Sequence, residues 1–200
     1  MKRLLGACGL GLLLLYHCAH GQVIEVESNG LKYQALTRSG VTIMFAHLPA
    51  TLHEFAIVQV AVSNGSPGPY VIRPEDFTFV RADGTEVRAV AARAVVDMLL
   101  KKANGSDMAK LVTTYEAGIL GNPSVKSTHG YEERRQAAMA YSGSKTKAAA
   151  VASALAMVQT KMAAGNSTDG AIFFPTSGKP LGAGRMVVHT NTDVWEFKGE

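Results

Sequence analysis

Apolar and polar residues alternate along most of residues 22–90, a pattern that predicts β-strands. The clearest run spans residues 55–64, where Ala56, Val58, Val60 and Val62 fall on one side. Other runs that predict strands span residues 23–27, 31–37, 41–48, 77–81 and 85–90. Turn-forming residues separate these runs, and Asp83-Gly84 predicts a tight hairpin because both residues tolerate positive φ. We therefore expect this half of the chain to form antiparallel strands.

Residues 91–166 have a different pattern, rich in alanine, methionine and lysine, which predicts helices. We expect four helices, near residues 91–103, 107–120, 131–141 and 145–164. Ser106 is the expected N-cap of the second helix. The fourth helix carries a stripe of small and apolar residues, formed by Ala148, Val151, Ala152, Leu155, Gln159 and Met162.

The chain returns to short apolar runs after residue 169, with strands predicted at residues 170–174, 185–190 and 194–197. These strands need a core, so we expect them to share a sheet with the strands that precede residue 90. The sequence thus predicts a mainly β fold. Its simplest form is an antiparallel β-sandwich, one domain over residues 22–198, interrupted by a helical insertion at residues 91–166.

Three segments of this pattern are similar to a known family. They are the long strand 55–64 that ends in asparagine, the segment 74–79 followed by Asp83-Gly84, and the segment 170–175. Together they resemble the telokin-like, immunoglobulin-fold domains of bacterial secreted proteins and lipoproteins, over residues 55–90 and 169–197. The resemblance implies an immunoglobulin-like sandwich, an extracytoplasmic location and an interaction role without a defined reaction. Family members have a modest connection where this chain has its predicted helices.

The first 21 residues have the form of a secretion signal. Lys2 and Arg3 precede an apolar run at residues 4–16, and Ala19-His20-Gly21 follows. This pattern predicts cleavage before Gln22 and a periplasmic or secreted protein.

Both cysteines, Cys8 and Cys18, lie inside the predicted signal. The mature chain therefore has none and must fold without disulfides. Residues 15–18 are similar to a lipid-attachment motif, but His17 is bulky where a small residue belongs, so we do not expect a lipid anchor at Cys18.

Charge and hydropathy argue against a nucleic-acid partner and against a membrane-spanning segment. Removing Lys2 and Arg3 lowers the formal charge from +4 to +2, which argues against nucleic-acid binding. The apolar run at residues 4–16 is shorter than the roughly 20 residues that span a bilayer. We therefore expect no nucleic-acid partner and no transmembrane segment in the mature chain.

Side chains that could carry chemistry are sparse. His47 and His53 flank a predicted turn, but only Glu54 follows as a third ligand, so we expect no metal and no cofactor. Ser-x-x-Lys spacing begins at Ser142 and at Ser144, but the other motifs of penicillin-recognising enzymes are absent. We interpret these serines as helix N-caps and predict no catalytic residues and no enzyme.

The densest charged cluster spans residues 131–135. Tyr131, Arg134 and Arg135 are the candidate partner-binding residues, because arginine pairs grip carboxylates and phosphates. The alternative is a solvated helix face in which Glu132 and Arg135 pair with each other.

These observations favour a non-catalytic interaction or structural module of the bacterial cell envelope, with the helical insertion as the surface for an unknown protein partner. One alternative is a carrier of a small molecule or lipid, with a pocket between helices and sandwich. Another is a hydrolase, which would need His47, His129 or His189 beside a serine and a carboxylate.

Overall fold

Eleven β-strands and three α-helices make up the described part of the protein. The structure is a computed structural model, and it describes residues 21–28, 30–119, 137, 140 and 143–199. The strands are β1 (Ile24–Ser28), β2 (Leu31–Arg38), β3 (Val41–Leu52), β4 (Phe55–Asn64), β5 (Tyr70–Ile72), β6 (Phe77–Arg81), β7 (Glu86–Arg88), β8 (Thr160–Met162), β9 (Ser167–Pro175), β10 (Gly184–His189) and β11 (Val194–Glu196). The helices are α1 (Ala92–Lys102), α2 (Gly105–Ile119) and α3 (Ser144–Leu155).

The larger sheet has five antiparallel strands in the order β1-β2-β3-β4-β9. Its first four strands follow one another along the chain. Strand β9, which comes after the helices, pairs with β4 from Ser63↔Ser167 to Phe55↔Pro175. This pairing confirms that strands on the two sides of the helical segment share a sheet.

The second sheet has four strands in the order β11-β10-β6-β7. Strands β6 and β7 form the predicted hairpin, and Gly84 in its turn has a φ of 84°, which glycine adopts without strain. Strand β10 pairs with β6, so this sheet also joins the two halves of the chain. Strands β5 and β8 form a separate pair.

The central strands of the five-stranded sheet are buried on both faces, because a different layer covers each face. One face shares a core with the four-stranded sheet, where Val58 and Phe174 meet Phe77 and Trp195. The other face shares a core with the helices. We predicted one apolar side for β4, but Ile57 on its opposite side is also buried, since helices cover that side.

The fourth predicted helix is wrong in its second half. Helix α3 ends at Leu155, and Gln159 and Met162 do not continue it. The backbone N–H of Met157 instead donates to the carbonyl of Ala171 on β9, and residues 160–162 become β8. Sheet pairing has therefore overridden the helix propensity of this stretch.

Two predicted helix caps are also wrong. The Oδ1 of Asn104, not Ser106, caps α2 by accepting the N–H of Ser106 at 2.9 Å. Helix α3 begins at Ser144 itself, with Gly143 as its N-cap and no side-chain cap bond. Asparagine competes well for such positions because its short side chain reaches the first free N–H groups.

The coarse fold class, mainly β with helices between two groups of strands, is confirmed. The predicted helix at residues 131–141 and the predicted signal at residues 1–21 lie outside the described residues, apart from isolated positions. Of the helices that the structure describes, none has the length and apolar character to cross a membrane.

Candidate functional site

The residues singled out as partner contacts lie outside the described part of the protein. These are Tyr131, Arg134 and Arg135. The same holds for His129 and Ser142. The described residues therefore leave the predicted partner contact untested, and any candidate site in the structure has to be built from other side chains.

We predicted no metal site at the histidines, and His47, His53 and His189 lie in the described part of the chain. The ring of His47 packs edge-on against Phe45 and Phe79, with ring centroids 5.5 and 5.6 Å apart. His189 is exposed at the end of β10. Among the residues described, no group of three or more histidine, cysteine or acidic side chains is placed to hold a metal ion.

His53 joins the sheet to the helices through a buried carboxylate. Its Nε2 lies 2.9 Å from Oδ2 of Asp107, and Asp107 is only 2% exposed. The same Oδ2 accepts the backbone N–H of Asn104 at 2.7 Å. An ion pair between Lys102 and Glu54, at 3.7 Å, lies at the same junction.

This histidine–carboxylate pair has the first two members of a hydrolase triad, and the described residues supply no third. In the described part of the chain, no serine, threonine or cysteine side chain bonds to His53. The pair is therefore best understood as a clamp that holds the start of α2 to the β3–β4 turn. Sequence reasoning missed it because 54 positions separate the two residues.

The most distinctive surface of the described structure is the outer edge of β1. Strand β1 is an end strand of the five-stranded sheet, and among the described strands it pairs with β2 alone. The opposite end strand, β9, is partly covered, because Val90 and Met157 donate backbone N–H groups to it. No described residue does the same for β1, so among these residues its outward N–H and C=O groups have no backbone partner.

The two faces of β1 differ sharply in chemistry. Ile24 and Val26 lie on one face and are 60% and 49% exposed, although both are large apolar side chains. Glu25 and Glu27 lie on the other face, opposite Gln34 and Lys32 of β2. The edge is therefore apolar on one side and acidic on the other.

A groove of about 440 Å³ lies along this edge, beside Glu25 and Glu27. Its lining residues come from β1, β2 and the C-terminal segment, and are Glu25, Val26, Glu27, Lys32, Tyr33, Gln34 and Gly199. Gln34 is only 4% exposed, and its Oε1 has no hydrogen-bond partner among the described residues. A buried acceptor without a donor is costly, so this atom favours a ligand that brings an N–H group.

Tyr33 lines the groove, but its side chain lies on the other face of β2, in the cluster shared with the helices. Its hydroxyl lies 3.3 Å from Oε1 of Gln59, to which it donates a hydrogen bond. Burial raises the pKa of this hydroxyl above the ordinary tyrosine value of 10.0. The tyrosine therefore stays neutral at physiological pH.

A second groove, of about 490 Å³, lies where α1 begins. It is lined by residues that include Arg73, Glu75, Arg93 and the exposed Val158. Burial raises the pKa of the neighbouring Asp76, although the backbone N–H of Arg73 donates to its carboxylate at 2.9 Å. That bond holds the short 3-10 turn of residues 74–76 in place, which is a structural role.

Comparison of the chain with protein-family models, with curated proteins and with solved structures finds no match. The candidate site at β1 is therefore argued from geometry alone. The sequence carried a signal for it, since the alternation of residues 23–27 was plain, but only the strand order shows that this strand is an edge.

Proposed function

We propose that the protein is a non-catalytic interaction module of the bacterial cell envelope that binds a protein partner. The observation that carries the proposal is the outer edge of β1, which no described residue pairs with, together with the exposed Ile24 and Val26. Edge strands in soluble proteins are commonly blocked by charges, bulges or covering loops, because an open edge pairs with other chains. An open edge with apolar side chains suits a surface whose purpose is to bind.

The helical insertion remains a second proposed partner surface. Its candidate contacts are Tyr131, Arg134 and Arg135. The helices that are described form a layer on the sheet, and Leu100 on α1 is 48% exposed, which supports an outward-facing contact there.

The extracytoplasmic location and the immunoglobulin-like sandwich belong to the same proposal. Support for the location comes from the signal-like residues 1–21. Two sheets that share a core of aromatic and branched residues support the sandwich. The resemblance to telokin-like domains is consistent with both, and it names no reaction.

A carrier of a small molecule or lipid is the alternative, with its pocket between helices and sheet. Among the residues described, Ala148 and Ala152 of α3 and Phe173 of β9 belong to one packed cluster. A ligand there would have to separate these side chains. The open groove beside Val158 offers a carrier more room, at the border of the helical layer.

Site-specific photo-crosslinking in the envelope of living cells tests the proposal. A photo-crosslinking amino acid replaces Val26 on the edge, Leu100 on the helical layer or, as an exposed control on the other sheet, Glu86. We expect a discrete protein adduct from position 26, one from position 100 if the helices also bind, and none from position 86.

Two results would contradict the proposal. One is the absence of a discrete adduct at positions 26 and 100 while the folded protein is present in the envelope. The other is fractionation of the protein with the cytoplasm, which would remove the proposed location. Lipid recovered from the purified protein by native mass spectrometry would favour the carrier instead.

A further inference from the structure

We propose that β1 binds an extended segment of its partner in which arginine alternates with apolar residues, added to the sheet as a sixth strand. This inference rests on the proposed function, since it specifies the chemistry of the partner and the way it binds. It depends on three independent features of the edge: backbone groups that no described residue bonds, a face with exposed apolar side chains, and an acidic face with an unsatisfied acceptor.

The backbone of β1 provides the first feature. Its five residues are all in register with β2 on the inner side, from Ile24↔Ala35 to Ser28↔Leu31. Alternate N–H and C=O groups therefore point outward, where no described residue meets them. An added strand would satisfy these groups with its own backbone and align with the rest of the sheet.

The apolar face determines every second residue of the partner. Ile24 and Val26 are neighbours on one face of β1, and the buried Tyr33 lies opposite Val26 on β2. A partner strand places every second side chain on this same face, beside them. Valine or isoleucine at those positions would cover the exposed apolar area.

The acidic face determines the residues between. Glu25 lies directly opposite Gln34, and both line the groove of about 440 Å³. Strands lie roughly 4.8 Å apart, so an added strand sits roughly 10 Å from β2. Arginine is long enough to reach across β1 and has five N–H donors, enough for the carboxylate and for Oε1 of Gln34.

A second copy of this chain is a poor occupant. In the antiparallel pair of two β1 strands that aligns all five residues, Glu25 lies opposite Glu27 of the other copy. Like charges directly opposite each other destabilise a strand pair. The glutamates therefore act against self-association while they attract a basic strand.

Binding of three synthetic peptides to the protein tests the inference. The first is an eight-residue peptide that alternates arginine and valine. The second alternates glutamate and valine. The third is the first sequence with alternate backbone amides N-methylated, prepared in two versions that methylate either the odd or the even positions. Methylation keeps the charge and the side chains but blocks strand pairing. We expect the first peptide to bind about tenfold or more tightly than either control.

Two variants of the protein locate the binding. Glu25→Lys reverses the charge at the groove, and Gln34→Met removes the acceptor at nearly constant volume. We expect each to weaken binding of the arginine–valine peptide about tenfold. Glu86→Lys is the matched control, because Glu86 is an exposed glutamate on β7, the edge strand of the other sheet; it should leave binding unchanged. Thermal unfolding checks that each variant is folded, and Glu25→Gln replaces Glu25→Lys if it is not.

Hydrogen exchange shows which segment of the protein the peptide binds. Binding should protect backbone amides of residues 24–28 and leave those of α1 unaffected. Equal binding of the arginine and glutamate peptides, or protection confined to the helices, overturns the inference. So does a dimer of the free protein that forms through β1. If crosslinking at position 26 captures a partner while the peptides fail, the proposed function stands and only the partner chemistry is wrong.

Discussion

The two faces of the five-stranded sheet are packed in different ways. The face against the helices meets small side chains, among them Ala148, Ala149 and Ala152 of α3. The face against the four-stranded sheet meets large rings, among them Phe77, Phe79 and Trp195. Small residues allow a helix backbone to approach closely, whereas two sheets stand roughly 10 Å apart and need large side chains between them.

This difference predicts how each core responds to damage. A helix layer is joined to the sheet by side chains, with few backbone bonds, so it can shift to close a gap. The two sheets have rigid hydrogen-bonded ladders on both sides, so a gap between them stays open. The cost of a cavity depends on how far its walls can relax.

Two adjacent phenylalanines allow the two faces to be compared on one strand, β9. Phe173 points toward the helices and Phe174 toward the other sheet, and both are fully buried. We expect Phe174→Ala to lower the free energy of unfolding by about 5 kcal/mol and Phe173→Ala by about 3 kcal/mol. Urea unfolding measures both. A larger loss for Phe173→Ala would mean that the helical layer is the more rigid wall.

Gly170 tests how closely the chain after α3 approaches the sheet. A Cβ at this position would lie 2.6 Å from the backbone nitrogen of Met157 and 2.7 Å from its Cα. Gly170→Ala should therefore force the two segments apart and destabilise the protein by about 3 kcal/mol. Gly68→Ala is the control, because nothing lies within 4 Å of a Cβ there. Equal effects of the two substitutions would refute the close approach.

Asp107 tests the clamp that attaches the helices to the β3–β4 turn. Asp107→Ala removes the acceptor of the Asn104 N–H and of His53, and we expect a loss of about 2 kcal/mol. Asp97→Ala, at an exposed residue of the same helical segment, should change stability by less than about 0.5 kcal/mol. Hydrogen exchange should show that the loss is concentrated in α2; uniform opening of both sheets would contradict a local clamp.

The smallest effect on stability is expected at high pH, where one buried tyrosine on each face of the sheet ionises on unfolding. Burial raises the pKa of Tyr33, on the helix side, above 10.0. Burial also raises the pKa of Tyr70, on the side of the other sheet, above 10.0, because it outweighs the hydrogen bonds that lower this pKa. Above pH 10 the unfolded chain loses these protons first, so it binds fewer protons than the folded state and stability falls as pH rises.

Replacing the two hydroxyls separates this contribution from that of other groups. The double variant Tyr33→Phe with Tyr70→Phe should show a shallower decline of the unfolding free energy between pH 10 and 11. Urea unfolding at closely spaced pH values measures the slope. An unchanged slope would assign the alkaline decline to residues elsewhere.

Much of the strand pattern was predictable because most strands have a local signal; β5 and β8 are the exceptions. The alternation of β4 and the Asp83-Gly84 turn depend on neighbouring residues, and both were identified. The end of α3 was not, because alanine and methionine favour helix locally while the pairing of Met157 with β9 is a contact between distant segments. The groove was missed for a related reason, since Gln34 looks like any polar strand residue until its burial is known.

By itself, the sequence determined that the chain forms strands, then helices, then strands, and that the outer strands must share a core. Periodicity and turn residues act over a few positions, so they can be identified from the sequence. Only the tertiary structure decided that β1 is an open edge, that β4 is buried on both faces, and that His53 meets Asp107. Those facts depend on which distant segments pack together, because strand order and burial are properties of the assembled fold.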